Sequence, residues 1–220
     1  VRTTRSQELV DAIIELIDRR GLRPGDPLPP EPRLMEEFDA ARNSVREALR
    51  TLQALGIVEI RHGYGTFVGD ASMTTLSPSL LFRTRARSQD DLRGLRDLLE
   101  VRQILETELA RKVVGDAGLL ADLAGCIERM RDPATAAAAD RQFHERICVA
   151  AGNELALELT RLFWDVYRQS ESLVGTPSNA GSLVAKHQKI VDAISSCDQE
   201  AVRRAVSDHF DEIRHRIAAG

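Results

Sequence analysis

At 220 residues the chain has room for one large domain or two ordinary ones. With 43% hydrophobic and 29% charged residues it reads as a soluble globular protein, and with aromatics at only 4% its core must be built mainly from Leu, Val, Ile and Ala, which favours helices. A net charge of -4 argues against a non-specific nucleic-acid coat, although a sequence-specific binder needs only a local basic patch.

The chain opens with an apolar-periodic helix through Leu9, Ile13, Ile14, Leu16 and Ile17, ended by Gly21 and Pro24-Gly25. LPPEPRLMEEF then leads into a short second helix, with Pro30 or Pro32 suited to its first turn and acidic residues complementing its N-terminal dipole. A third helix follows from DAARNSVREALR at Asp39 to Arg50. There Arg42, Arg46 and Arg50 recur every four residues as a cationic stripe, opposite the apolar stripe of Val45, Ala48, Leu49 and Leu52. Asn43 and Ser44, at its front, can bond a base edge or a phosphate oxygen. The plainer reading of the arginines is a solvated face with Glu47 on hand to pair. Leu52, Leu55, Ile57, Val58 and Ile60 are expected to close the core. The runs Ile57 to Arg61 and Thr66 to Val68 flank His62-Gly63-Tyr64-Gly65 as a hairpin, and Arg61 adds to the basic patch. Three helices and a hairpin make a winged helix-turn-helix.

GLRPGDPLP at Gly21 to Pro29, RNSVREALRTLQALGIVEI at Arg42 to Ile60 and RHGYGTFV at Arg61 to Val68 resemble the GntR-type bacterial transcription regulators. The resemblance implies that Arg42, Arg46 and Arg50 contact double-stranded operator DNA, that Asn43 and Ser44 lie at the helix front, and that His62 and Gly63 in the wing tip approach the minor groove. Two positions depart from the family pattern. Family members usually carry Arg just after the Leu-Pro-x-Glu corner, where this chain has Pro32 with Arg33 beside it, so that contact is displaced to Arg33 or lost. A small capping residue, often Ser, is usual where Ala41 stands; Asp39 is then the only nearby capping candidate.

The expected domains are 1–69 for the winged helix, 70–78 for a linker and 79–220 for a second domain. In the second domain, helices are predicted near Ser79 to Arg87, Ser88 to Val114, Ala117 to Arg131, Ala134 to Ala151, Glu154 to Val174, Asn179 to Ser196 and Gln199 to Ala218, a mainly α antiparallel bundle. Cys126, Cys148 and Cys197 are odd in number and widely spaced, which predicts buried free thiols rather than disulfides. Without a signal peptide or an apolar run near the roughly 20 residues that span a bilayer, the protein is expected in the cytoplasm and off the membrane.

Polar residues fall where the bundle pattern demands apolar ones. His187 lies in the stripe Leu183, Val184, Ile190, Val191, Ile194; His209 in Val202, Ala205, Val206, Phe210, Ile213; Asp140 and His144 in Ala136, Ala137, Phe143, Ile147, Ala151. Three inward imidazoles and a carboxylate each need a partner when buried, and one cation satisfies all four. The set suits a divalent transition metal, Zn first, with Ni, Mn, Fe or Co as alternatives; a purely hydrogen-bonded Asp-His network is the metal-free alternative. Arg102 and Glu106 fall on the inner face of their helix, either as a buried i,i+4 pair or as an arginine clamp for a carboxylate ligand.

EVRQILETELAR at Glu100 to Arg111, DRQFHERI at Asp140 to Ile147, KHQKIVDAI at Lys186 to Ile194 and His209 in VSDHF resemble the FCD ligand-sensing domain of the FadR branch of the same family. The resemblance implies a metal held by Asp140, His144, His187 and His209, with open positions closed by water or a carboxylate effector. Trp164 and Tyr167 are read as packing residues that could line the effector cavity, Asn179 and Ser182 as weaker ligand contacts, and His215 as a solvated face residue. The expected function is a homodimeric repressor released by a small organic or sugar acid bound near Arg102 and Glu106. The alternatives are a DNA-binding regulator whose helical domain and metal are only structural, and a metallohydrolase. For the last, His144-Glu145 matches part of the His-Glu-x-x-His zinc protease motif, but Cys148 stands where the second His belongs.

Overall fold

The structure, a computed structural model, describes residues 5–86, 93–174 and 180–219. The chain divides into two compact units, Val1–Thr75 and Leu76–Gly220.

In the first unit, α1 (Arg5–Arg19) carries Glu8 in its first turn and Arg19 in its last, each complementing the helix dipole. Its buried side chains Leu9, Val10, Ile13, Leu16 and Ile17 follow the helical period. Pro30 caps α2 (Glu31–Glu37) and Pro32 occupies its first turn, where a missing N–H costs nothing. The recognition candidate, α3 (Arg42–Ala54), starts at Ala41 without a side-chain cap and buries Val45, Ala48, Leu49 and Leu52 against α1 and α2. β1 (Val58–Arg61) and β2 (Gly65–Val68) pair antiparallel, with Val58 opposite Val68 and Arg61 opposite Gly65. The segment after α1 braces this hairpin: Leu28 N–H donates to the Thr66 carbonyl at 2.8 Å and Val68 N–H to that of Asp26 at 2.8 Å. Gly69 sits where a Cβ would stand 2.1 Å from the Gly56 carbonyl oxygen, so any side chain there would push the wing off the end of α3.

One expectation needs correction here: Leu55 does not close the core and is 45% exposed, because α3 ends at Ala54 and the helical stripe stops with it. Within the stretch 70–78 read as a linker, residues up to Thr75 belong to the first unit, a 3-10 turn spans Met73–Leu76, and the next helix starts at Ser77.

The second unit contains α4 (Ser77–Ala86), α5 (Arg93–Lys112), α6 (Ala117–Met130), α7 (Ala136–Ala150), α8 (Glu154–Val174), α9 (Ala180–Ser195) and α10 (Gln199–Ala219). Asp116 caps α6 by accepting from Leu119 N–H at 3.0 Å, which fixes the turn after α5. α5 packs on α10 and α7, α6 on α7 and α9, and α9 on α10, so the polar faces of α5, α7, α9 and α10 converge. The helix expected from Ser88 is seen from Arg93, since residues 87–92 lie outside the described residues, as do Asn179 and the Gly175-Thr176-Pro177 turn. Ala137 is exposed while Ala139 is buried, because α7 begins only at Ala136 and its inward face is set by Phe143 and Ile147. Cys197 is exposed rather than buried, since α9 ends at Ser195 and Cys197 turns the chain with φ 57°.

Candidate metal centre and nucleic-acid interface

The metal candidates meet as the inward stripes require. Asp140 and His144, one helical turn apart on α7, face His187 from α9 and His209 from α10, and one ligand atom from each lies within 4.8 Å of all the others. The three imidazoles are buried, in an aromatic cage where the Phe143 ring meets those of His144 and His187 edge-on.

Hydrogen bonding at the outer ring nitrogens fixes what the inner ones can do. His187 Nδ1 lies 2.8 Å from the Leu183 carbonyl, which can only accept, so Nδ1 carries a proton and Nε2 is the nitrogen that faces the cluster. His144 Nδ1 lies 2.7 Å from Glu106 Oε2, a close ion-pair contact with a bent approach. Its Nε2 therefore also faces inward, 3.4 Å from that of His187. Asp140 Oδ1 completes the cluster at 2.9 Å from His187 Nε2 and 3.2 Å from His144 Nε2. Neither Asp140 Oδ1 nor His209 Nδ1, both buried, has a hydrogen bond of good geometry. Three electron-rich atoms crowded this closely repel one another unless a proton or a cation lies among them, and with the imidazoles neutral the donor set fits a divalent transition metal.

In the metal-free cluster the electrostatics divide between the ligands. Burial would raise the Asp140 pKa, but His187 and His144 hold it well below the usual carboxylate range. Burial, reinforced by the charges of His187 and His144, drives the His209 pKa well below the usual imidazole value, keeping it neutral. Burial also opposes a charged His144, yet the Glu106 carboxylate and Asp140 raise its pKa.

Arg102 and Glu106, on α5, do form the buried i,i+4 pair, with Arg102 Nε 2.6 Å from Glu106 Oε1. The Arg102 guanidinium also lies 4.6 Å from the Trp164 ring centroid and 5.3 Å from that of Phe210. Burial would raise the Glu106 pKa, but Arg102 and His144 lower it to about 2. Sequence reasoning missed the cross-helix contact of Glu106 with His144. Trp164, read as a packing residue that could line the cavity, is buried, with Nε1 unpartnered and its ring centroid 6.2 Å from that of His144. The i,i+4 spacing of Leu183 and His187 could have signalled the backbone support of His187, but nothing local marks Glu106 as its counterpart for His144. Glu145 is engaged by Arg141 at 2.7 Å and Arg161 at 3.6 Å, outside the cluster, and His215 is exposed on α10.

In the first unit, Arg42, Asn43, Arg46 and Arg50 are exposed together on α3, with Ser44 half-buried at its front. Arg46 has a loose ion pair with Glu31 at 3.7 Å, and Arg33 pairs with Glu36 at 3.3 Å on exposed α2. His62 and Gly63 form the wing tip beside Tyr64, which is 84% exposed. Arg61, also exposed, pairs with Glu59 at 2.8 Å and lies over the Phe67 ring at 4.3 Å.

The sequence matches the bacterial regulatory proteins of the gntR family over residues 5–68 and the FCD domain over residues 97–212. The chain belongs to the GntR family, in the branch with an FCD domain. Among its relatives, the Uxu operon transcriptional regulator of Escherichia coli (strain K12) is 30% identical, over 96% of this chain and 86% of that protein. An Escherichia coli (strain K12) protein named as regulator of the L-lactate dehydrogenase operon is 31% identical, over 93% of this chain and 83% of its own length. The solved structure of Streptococcus agalactiae GntR shares the fold at a TM-score of 0.68 and 24% identity, covering 96% of this chain and 99% of that one. This GntR/FCD protein is thus a transcription regulator, and its relatives are regulators rather than enzymes, which removes the metallohydrolase alternative. No helix among the described residues is long and apolar enough to cross a membrane.

Proposed function

We propose that the chain is a ligand-responsive repressor that binds operator DNA as a homodimer and is released by a small organic or sugar acid. The effector binds beside a divalent metal, Zn the most suitable, held by Asp140, His144, His187 and His209. The observation carrying this reading is the convergence of four ligand atoms within 4.8 Å of one another, with Asp140 Oδ1 within 3.2 Å of two imidazole nitrogens and no good hydrogen bond to either. A metal there supplies a Lewis-acid position for a carboxylate or hydroxyl oxygen. Arg102, held by Glu106, supplies the planar cation that reads a carboxylate. A relative named for an L-lactate dehydrogenase operon fits a hydroxy-acid signal.

DNA contact is assigned to Arg42, Asn43, Ser44, Arg46 and Arg50 on α3, to Arg33 on α2, and to His62 and Gly63 at the wing. Two copies place two such heads in successive major grooves, about 34 Å apart or a multiple of that. Exposed Val101 and Ile104, one turn apart on α5 on the face away from Glu106, and exposed Phe82 on α4 supply an apolar surface for the second copy. The cytoplasm, where operator DNA is found, is the place for this function.

A second reading, in which metal and helical domain are only structural, draws on one observation: Arg102 is 2% exposed and already bonded to Glu106. A thermal-shift screen of zinc-loaded protein against small carboxylates separates the two. The hit should vanish in Arg102→Ala and His187→Ala and should weaken binding to DNA selected from a random pool. A metal that stabilises the protein with no carboxylate hit supports the structural reading.

A further inference from the structure

We propose that Glu106 is a positioning residue of the metal centre, fixing the His144 ring and its tautomer from the outer side while Arg102 fixes Glu106 in turn. This rests on reading Asp140, His144, His187 and His209 as metal ligands. Glu106 is not among the four clustered ligand atoms, yet it lies immediately behind one of them. Oε1 accepts a hydrogen bond from Arg102 Nε at 2.6 Å, and Oε2 stands 2.7 Å from His144 Nδ1, an ion-pair contact of hydrogen-bond length that falls short of good hydrogen-bond geometry. With Glu106 3% exposed, water does not compete for either contact.

The ligand imidazoles are supported unequally. His187 leans on a neutral acceptor of its own helix, the Leu183 carbonyl at 2.8 Å. His144 leans on a carboxylate from a different helix, α5. His209 Nδ1 has no hydrogen bond in the described structure. An anionic acceptor behind an imidazole orients the ring, holds the proton on Nδ1 and makes Nε2 a better electron donor to a metal. Glu106 therefore strengthens one ligand selectively and ties α5 to the cluster on α7, α9 and α10. A carboxylate spent in this way does not contact an anionic effector, which it would repel; Arg102 alone keeps that role.

The test uses full-length protein stripped with a chelator, and Zn2+ affinity measured by competition with a chromophoric chelator. Wild type should take one Zn2+ per chain, and Asp140→Ala should lose it. Glu106→Gln should keep its helical circular dichroism but bind Zn2+ on the order of 10- to 100-fold more weakly. Its Co2+-loaded form should show altered visible d–d bands, a change that lost packing alone does not produce in a folded variant. Because Glu106→Gln leaves Arg102 without its counter-ion, Arg102→Gln/Glu106→Gln, which removes both charges, serves as the second variant and should show the same weakening. Long-range 1H–15N spectra of zinc-loaded wild type, which need no variant, should show His144 protonated at Nδ1 and coordinated through Nε2. Unchanged affinity and Co2+ bands in either folded variant, or a His144 coordinated through Nδ1, would overturn the role of Glu106. Failure of wild type to bind Zn2+ or Co2+ would instead overturn the metal-centre reading beneath it.

Discussion

Asp140 Oδ1 and His187 Nε2 stand 2.9 Å apart although they leave different helices, α7 and α9. With His187 Nδ1 donating to the Leu183 carbonyl, Nε2 and Oδ1 face each other directly, a pairing that needs a proton or a metal cation between them. Where a metal takes the place of the proton, the bundle gains cohesion from it.

Metal removal should therefore loosen the helical domain. A metal bound only by the folded state stabilises it by about 2.7 kcal/mol at a hundredfold excess over Kd. Differential scanning calorimetry should show the melting temperature falling with a chelator and recovering with Zn2+. Asp140→Ala should show no chelator-dependent shift; an equal shift would place the metal elsewhere.

The metal-free protein should lose stability on acidification in two stages. His209 has a depressed pKa, so the unfolded chain takes up a proton first and stability falls as pH drops through the ordinary imidazole range. His144 acts in the opposite sense, its raised pKa giving stability below the ordinary imidazole value that is lost as pH rises through the folded value. Glu106 and Asp140 have depressed pKa values, so their contribution is present above the ordinary carboxylate range and is lost as pH falls, for Glu106 toward about 2. Urea unfolding between pH 7 and pH 3 should show this acid limb, and Glu106→Gln should make it shallower. An equal limb in the variant would mean that Glu106 does not titrate with unfolding.

On the DNA side, Arg46→Ala should lower affinity and flatten its salt dependence. Each phosphate contact contributes about 0.9 to the slope of log K against log salt. Arg46 is half exposed and its ion pair with Glu31 is long at 3.7 Å, so little within the protein competes for it. Anisotropy titrations at several salt concentrations measure the slope, and an unchanged value removes Arg46 from the interface.

Gly63 turns the wing with φ 81° and has nothing within 4 Å of where a Cβ would stand. Gly63→Val should strain the backbone by about 1–2 kcal/mol, whereas Gly63→Asn tolerates this conformation. If the wing tip enters a groove, Gly63→Asn should melt like wild type but bind DNA more weakly. Wild-type affinity would leave Gly63 a turn residue only.

Ile104→Glu should convert a dimer to monomers in light scattering and weaken DNA binding, since it places a charge in the exposed apolar stripe of α5, where Ile104 is 61% exposed. A dimer that survives would locate the subunit contact on another face.

Much of this architecture was legible because helical periodicity assigns direction. Asp140, His144, His187 and His209 could be aimed inward from their apolar neighbours, and their convergence follows once their three helices pack in the bundle. The basic face of α3 was readable for the same reason. Periodicity fails at helix ends, which is why Leu55 and Cys197 were misplaced. It is also silent on which side chains of different helices touch. The stripe placed Arg102 and Glu106 inside, but that Glu106 reaches His144 depends on how α5 packs on α7.

The exposed turn at Cys197 makes the natural sequence ready for spectroscopy. Cys126 and Cys148 are buried, and burial raises both of their pKa values, so a maleimide dye at neutral pH should attach to Cys197 first. That position joins the helices bearing His187 and His209. The single tryptophan, Trp164, beside Arg102, is a native donor for energy transfer to such a dye. Ligand and metal titrations can thus be followed by emission from the helical domain without altering a single residue.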